Sequence, residues 1–482
     1  MICIPIAADT NAAMMRLLEE AAREPAELFE LRLDSLEEEP DVEALVKASF
    51  RPVIATCRSV AEGGAFAGGA TERRRILSRA AAAGAAYLDA EAADLESLAD
   101  RNGAILIVSM HDFNSTPDDL RDRVLKMADL PADWVKFAVM ANKPSDNIRV
   151  FEALRDCPKP AIGIAMGDMG LPSRILGGRF GSRVTFGSLD KGKESAPGQL
   201  TANVLAKYYR VNAISEKTAI YGLLGNPVSQ SPGYILHNQA YIDSGMDAVY
   251  VPFLAEDARD FLNTMPSALG IRGLSVTIPH KHAALAWADA ASEEARRIGA
   301  ANTLIRRESD WLAENTDCLA ISQSIWEMAL TAGVELEGAA ALVLGAGGTS
   351  RAAGVALAGF GCAVSVSARN PEKARRLAAE MGWNDVPWES VAGGEWRVVA
   401  NTTPVGMVPN VGETPFPASG WRKGMIAFDA VHNPRVTRFL REAEEAGAQT
   451  VGGDAMFNRQ AMGQFLLWTG QEAPDSMKKA VL

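Results

Sequence analysis

Between residues 2 and 186, eight short apolar runs alternate with helix-like stretches, and this alternation limits the fold more than any other feature of the chain. The runs are 2–6, 28–33, 52–57, 86–90, 104–109, 134–139, 160–165 and 182–186; stretches between them, such as 71–84 and 118–128, are rich in Ala, Leu, Arg and Glu. Parallel strands need a crossover, so strand–helix alternation implies an α/β protein with a parallel sheet. Eight such units in about 200 residues fit a (β/α)8 TIM barrel, with a doubly wound open sheet as the alternative.

Polar residues sit along and just after the strands, where a barrel places its chemistry. Glu30, Arg32 and Asp34 alternate along the second run, which puts them on one face. Arg58 follows the third run, Glu91 ends the fourth, His111 and Asp112 follow the fifth, and Arg174 follows the seventh. Ser195 and Gln199 follow the eighth. Lys136 interrupts the sixth, Trp134-Val135-Lys136-Phe137-Ala138-Val139. An amine there must lose hydration, which is costly unless it is paired or neutral. Desolvation lowers an amine's pKa and makes it a nucleophile for Schiff-base chemistry. The alternative is a strand-end lysine whose stem reaches water.

At 482 residues the chain is too long for one core, and two or three domains are expected. A net charge of −12 leaves no basic footprint for nucleic acid or an anionic membrane. Five scattered cysteines with no CxxC pair argue against a zinc site or a disulfide framework and suit a reducing compartment. No apolar run approaches the ~18 residues of a membrane span. The first residues read as a strand, not a signal or transit peptide. The expectation is a cytoplasmic protein acting on small molecules, with no metal; oligomeric state is left open.

Residues 1–210 resemble type I 3-dehydroquinate dehydratase. The matching segments are Phe-Glu-Leu-Arg-Leu-Asp (29–34), Thr-Cys-Arg-Ser (56–59), Ser-Met-His-Asp-Phe (109–113) with Thr116-Pro117, Trp-Val-Lys-Phe-Ala (134–138), Pro-Ser-Arg (172–174) and Ser-Ala-Pro-Gly-Gln (195–199). The resemblance implies an imine between Lys136 and a substrate ketone, with His111 removing the adjacent proton and later protonating the departing hydroxyl. It implies that Glu91 orients His111 and that Arg174 binds the substrate carboxylate. Glu30, Arg32, Arg58, Ser195 and Gln199 would hold the rest of the ring.

A second module starts after a helix and polar connector at 201–217. Ala340-Ala341-Leu342-Val343-Leu344 leads into Gly345-Ala346-Gly347-Gly348-Thr349-Ser350-Arg351. This strand, glycine-rich turn and helix start can face a pyrophosphate with backbone N–H groups, although Ser350 replaces the third glycine of the usual fingerprint. The next strand ends at Arg369 rather than at an acid, and Lys373 follows; both favour the 2′-phosphate of NADP over NAD. Lys281 and Asp317 form a candidate pair for moving a proton at a carbonyl. An ordinary salt bridge is the plain alternative.

From 219 to about 470 the chain is similar to shikimate dehydrogenase. Gly225-Asn226-Pro227-Val228-Ser229, His237-Asn238, Val276-Thr277-Ile278-Pro279-His280-Lys281, Gly299-Ala300-Ala301-Asn302-Thr303, Asn315-Thr316-Asp317, Asn401-Thr402-Thr403-Pro404-Val405-Gly406-Met407 and Gly452-Gly453 leading to Gln460 carry the likeness. It implies reduction of 3-dehydroshikimate to shikimate by NADPH, with Lys281 as acid/base beside Asp317. Ser231, Thr277, Asn302 and Gln460 would contact the substrate; Gly345, Gly347, Gly348, Arg369, Lys373, Asn401, Thr402 and Met407 would hold the cofactor. Three positions depart from the pattern: Gly233 for a serine that shares the substrate carboxylate, His432 for a tyrosine, and Ala320 for a glycine. In related plant enzymes an exchange like that at Gly233 goes with a preference for quinate. The two resemblances together imply consecutive steps, dehydration of 3-dehydroquinate and then reduction. A fused quinate dehydrogenase and a non-catalytic metabolite-binding regulator are the alternatives. The expected domains are 1–214, 218–322 with 456–482, and 323–455.

Overall fold

The computed structural model describes residues 1–98, 101–192, 196, 198–229 and 231–479. The eight apolar runs become parallel strands: β1 (Ile2–Ile6), β2 (Leu28–Arg32), β3 (Val53–Thr56), β4 (Tyr87–Glu91), β5 (Ile105–Asp112), β6 (Trp134–Met140), β7 (Ala161–Met166) and β8 (Thr185–Phe186). Their order is β7-β6-β5-β4-β3-β2-β1-β8. A parallel bridge from Ala161 to Ser182 sets the chain entering β8 beside β7, so the sheet curls into a nearly closed barrel. Val135, Phe137 and Val139 are fully buried in β6, as are Leu106, Ile107 and Val108 in β5. Burial on both faces is why these strands read as unbroken apolar runs.

Two expectations shift by a few residues. His111 and Asp112 are the last residues of β5 rather than its sequel. Asp34 lies beyond β2, in a 3₁₀ turn over Leu33–Ser35, so strand alternation stops at Arg32.

The second half contains two further sheets. One comprises β9 (Ala219–Gly225), β10 (Ala248–Leu254), β11 (Ile271–Val276), β12 (Ala290–Ala291), β13 (Thr303–Arg306) and β14 (Trp311–Glu314), in the order β10-β9-β11-β13-β14-β12. The other comprises β15 (Ala340–Leu344), β16 (Ala363–Ser367), β17 (Asn384–Asp385), β18 (Val398–Asn401), β19 (Ile426–Asp429) and β20 (Gln449–Val451). Its order is β17-β16-β15-β18-β19-β20 and every neighbour pair is parallel. This is the doubly wound dinucleotide-binding pattern, with its switch point between β15 and β18.

The chain divides into two compact units, Met1–Gly222 with Asp247–Gly270, and Leu223–Met246 with Ile271–Leu482. Within the second, the expected break at 322–323 falls inside the helix Thr316–Ala332. That helix is started by Asn315, whose side chain accepts from Asp317 N and Cys318 N, and is ended by Gly333 in the left-handed region. The helix Gly453–Thr469 returns to β11 and β13: Gln464 bonds Ser275 and Thr303, and Trp468 donates to Leu304 O. Among the described residues, no helix is long and apolar enough to cross a membrane.

Candidate active sites

In the barrel, strand register places Lys136 opposite Ser109 and Ile162. Its Nζ lies 2.7 Å from Asp89 Oδ2 and 3.1 Å from Glu30 Oε1. The same ammonium sits 4.6 Å from the centre of the Phe186 ring. Arg58 pairs with Asp89 at 2.8 Å and donates to Ser109 at 2.5 Å, while Ser109 donates to Asp89. Two acids and two bases thus share one buried network. Burial alone would push Lys136 down, but Asp89 and Glu30 outweigh it and hold the ammonium above its ordinary pKa. Burial would likewise raise Asp89, yet Arg58, Lys136 and Ser109 keep it well below the usual carboxylate range.

Above this network, His111 Nδ1 lies 3.2 Å from Glu62 Oε2, and Glu62 also accepts the His111 backbone N–H at 3.0 Å. Glu62 ends a short 3₁₀ turn over Val60–Glu62, capped by Ser59 and closed by Gly63 at φ 78°. Phe113 stacks on His111 with ring centres 6.0 Å apart. Burial, reinforced by the Arg58 charge and opposed by Glu62, lowers His111 to about 4, so its imidazole is neutral at pH 7. Arg174 is buried in the same pocket wall, and burial pushes its guanidinium down to about 10. Glu30, Arg32, Arg58, His111, Lys136 and Gln199 line that pocket as well.

In the second unit, Lys281 opens a helix after β11 and Asp317 lies in the first turn of Thr316–Ala332. Lys281 Nζ is 2.5 Å from Asp317 Oδ2, and Asn302 donates to the other carboxylate oxygen at 2.8 Å. Asp317 is thereby oriented from two sides. Lys281 also reaches Thr349 of the glycine-rich turn at 3.4 Å. A Cβ on Gly348 would come within 3.2 Å of Lys281 Cδ, so the turn and the Lys281–Asp317 pair adjoin. Gly345 has φ 123°, a conformation side chains rarely take. Ser350, where the fingerprint has glycine, accepts Gly347 N at 3.0 Å and bonds Thr402 Oγ at 2.8 Å, pinning the turn. The turn borders a cavity of about 740 Å³, also lined by Lys281, Lys373 and Thr402. Its volume suits a cofactor site, about 300–1,000 Å³. Exposed backbone N–H groups, close glycine approach and cationic walls fit a dinucleotide phosphate.

Comparison with known proteins agrees with both geometries. The profile of type I 3-dehydroquinase matches residues 2–216, and that of the shikimate dehydrogenase substrate binding domain matches 223–304. A bifunctional 3-dehydroquinate dehydratase/shikimate dehydrogenase, chloroplastic, of Arabidopsis thaliana is 38% identical over 99% of this chain and 83% of its own length. This chain belongs to that bifunctional family. A shikimate dehydrogenase (NADP(+)) of Moorella thermoacetica is 37% identical over 56% of this chain and 94% of its own. A crystal structure of a shikimate dehydrogenase in complex with NADP+ is similar with TM-score 0.51 and 31% identity, over 55% of this chain and 94% of that one.

Several expectations about this bifunctional enzyme need correcting. Lys136 is not an amine neutralised by desolvation; two carboxylates keep it charged. Glu91 does not orient His111. It accepts Ser59 N at 2.8 Å and pairs with Arg73 at 3.1 Å, and Glu62 holds the histidine instead. Arg32 lines the pocket but forks onto Asp34 at 3.0 and 2.7 Å. Asn401 is fully buried, and its amide is engaged by Asp429, Thr403 and Val405, so it shapes the loop instead of facing a cofactor. Arg369 is exposed and Met407 half-buried; neither lines the 740 Å³ cavity. The Gln460 side chain donates to Phe457 O of its own helix, while Gln464 enters the buried network. Ser195 lies outside the described residues. Ser231 and Thr277 sit on the loops after β9 and β11, and Ser231 Oγ accepts the Gly233 N–H at 3.3 Å. His432 packs on Phe457 at 5.0 Å.

The residues that sequence reasoning missed are Asp89, Ser109 and Glu62. Asp89 carried the same signal as Lys136, a charge inside the apolar run Tyr87-Leu88-Asp89-Ala90. Glu62 lies four residues past Arg58 in a glycine-rich loop and gave no local signal.

Proposed function

We propose that the barrel dehydrates 3-dehydroquinate through an imine on Lys136 and that the second unit reduces 3-dehydroshikimate with NADPH, the product of one site being the substrate of the other. One observation carries the reading: a lysine held between Asp89 and Glu30, with a neutral histidine lining the same pocket. The ammonium must give up a proton before its nitrogen attacks the ketone, and the neutral imidazole of His111, lining the same pocket, is the base that would take it. The attack expels the carbonyl oxygen as water, leaving a protonated imine that draws electrons from the neighbouring carbon and that a water molecule hydrolyses after dehydration, freeing the product and Lys136. His111 takes the proton from that carbon and returns it to the departing hydroxyl, which leaves as water. Glu62 fixes the ring and stabilises the imidazolium while the proton is held. Arg174 supplies a buried positive charge for the substrate carboxylate.

In the second unit NADPH supplies the hydride. The turn at Gly345–Thr349 and Lys373 would hold its phosphates, Lys373 being the one of the two expected cations that lines the cavity. Lys281 gives a proton to the substrate oxygen and Asp317 keeps the ammonium in place. Asn302 locks Asp317 and Thr277 borders the same loops.

Reductive trapping tests the imine directly. Borohydride added during turnover of 3-dehydroquinate should inactivate the dehydratase and add one substrate-derived mass to the peptide carrying Lys136. Label on another lysine, or turnover that survives borohydride, would overturn this reading.

A further inference from the structure

The dinucleotide cavity contains a charge that its ligand does not ask for. Lys281, Arg351, Lys373 and Arg376 line it, as a phosphate-bearing ligand requires. Glu380 lines it too, as the one carboxylate among the described lining residues. Glu380 is held by both neighbouring arginines: Arg376 Nε lies 2.8 Å from Oε1, and Arg351 NH2 contacts Oε2. Arg376 is one turn from Glu380 on the helix Pro371–Met381, and Lys373 precedes Arg376 by three residues, so the two cations share a face. Arg351 comes from the helix after the glycine-rich turn. Its pair with Glu380 ties the two helices together, whereas the Arg376 pair stays on the outer face of one helix.

We propose that Arg376 is a specificity-determining contact for the 2′-phosphate of the dinucleotide, and that Glu380 is the counter-ion it must leave to make that contact. The proposal rests on the NADP reading above. In the free protein Glu380 keeps Arg376 folded back along its helix. A 2′-phosphate, with more negative charge than the carboxylate, takes the guanidinium from it and shares it with Lys373. A cofactor without that phosphate has nothing with which to displace Glu380. The arrangement therefore raises discrimination between the two dinucleotides and slightly weakens binding of the favoured one.

Calorimetric titration of the full chain with 2′,5′-ADP and with 5′-AMP isolates the 2′-phosphate. Arg376→Gln should weaken 2′,5′-ADP by about fivefold and leave 5′-AMP unchanged. Glu380→Gln should strengthen 2′,5′-ADP by about two- to fivefold at low salt, the scale of an exposed ion pair, and the gain should fade as salt rises. Arg351→Gln breaks the tie between helices without freeing Arg376, so it should give no such gain. If both nucleotides shift together in the Arg376 or Glu380 variant, or if Glu380→Gln weakens 2′,5′-ADP, the proposal is overturned. If the wild type does not distinguish the two nucleotides at all, the NADP reading itself fails, and that outcome is visible before any variant is made.

Discussion

Replacing Lys136 by methionine removes the cation that separates two buried carboxylates. Arg58 remains on Asp89, but Glu30 loses its ion-pair partner and keeps only the Thr56 hydroxyl and the charges of Arg32 and Arg58 nearby. Breaking a buried pair on one side costs about 3–5 kcal/mol. Lys136→Met should therefore lower stability in denaturant titration as well as abolish dehydration, and adding Glu30→Gln should restore stability without restoring activity. A stability unchanged in the single variant would mean that the network is solvated. His111 sets the acid limit. Its folded pKa of about 4 lies below the ordinary histidine value, so between about pH 6.5 and 4 the folded chain binds fewer protons than the unfolded one. Stability contributed by this neutral histidine is complete above that window and is lost as pH falls through it. Free-enzyme kcat/KM for dehydration should lose no activity to His111 protonation until pH nears about 4, a range read directly from a pH–rate profile. Glu62→Gln, which removes the charge that stabilises the imidazolium, should lower dehydratase kcat by about tenfold or more, within the range of acid–base effects, while Glu91→Gln should leave the histidine's apparent pKa in place.

At the scale of elements, the glycine-rich turn is the most exacting part of the second unit. A Cβ at Gly345 would meet Ser350 Oγ and Thr402 Oγ at 2.7 Å, and φ 123° disfavours any side chain. Gly345→Ala should abolish NADPH oxidation and leave dehydration by the same chain unaltered; loss of both activities would show that the turn supports more than its own unit. The strands were legible in the sequence because parallel strands buried on both faces appear as apolar runs, and a charge inside one, as at Lys136, stands out. The eight barrel strands and the strand–turn–helix at 340–359 were placed on that basis. What the sequence did not disclose depends on how loops fold back. Glu62 reaches His111 from the 3₁₀ turn over Val60–Glu62, which Ser59 caps and Gly63 closes, whereas Glu91 looked closer by strand order. Asn401 opens the Asn401–Met407 segment expected to hold the cofactor, yet Asp429 of the neighbouring strand draws its amide inward. Asp89 meets the same criterion as Lys136, a charge inside an apolar run.

For the whole molecule, the proposed assignment gives the two chemistries one chain but no shared catalytic group: Lys136, His111 and Glu62 lie in one compact unit, and Lys281, Asp317 and the glycine-rich turn in the other. Each reaction should then survive loss of the other. The decisive measurement is a coupled assay in which the purified chain receives 3-dehydroquinate and NADPH while absorbance of the conjugated enone and of NADPH is followed together. Wild type should form the enone and then consume NADPH. Lys136→Met should do neither from 3-dehydroquinate but should oxidise NADPH when given 3-dehydroshikimate, and Lys281→Ala should accumulate enone with NADPH untouched. Enone formation by Lys136→Met, or NADPH oxidation by Lys281→Ala at the wild-type rate, would contradict the assignment of the two reactions to these two sites.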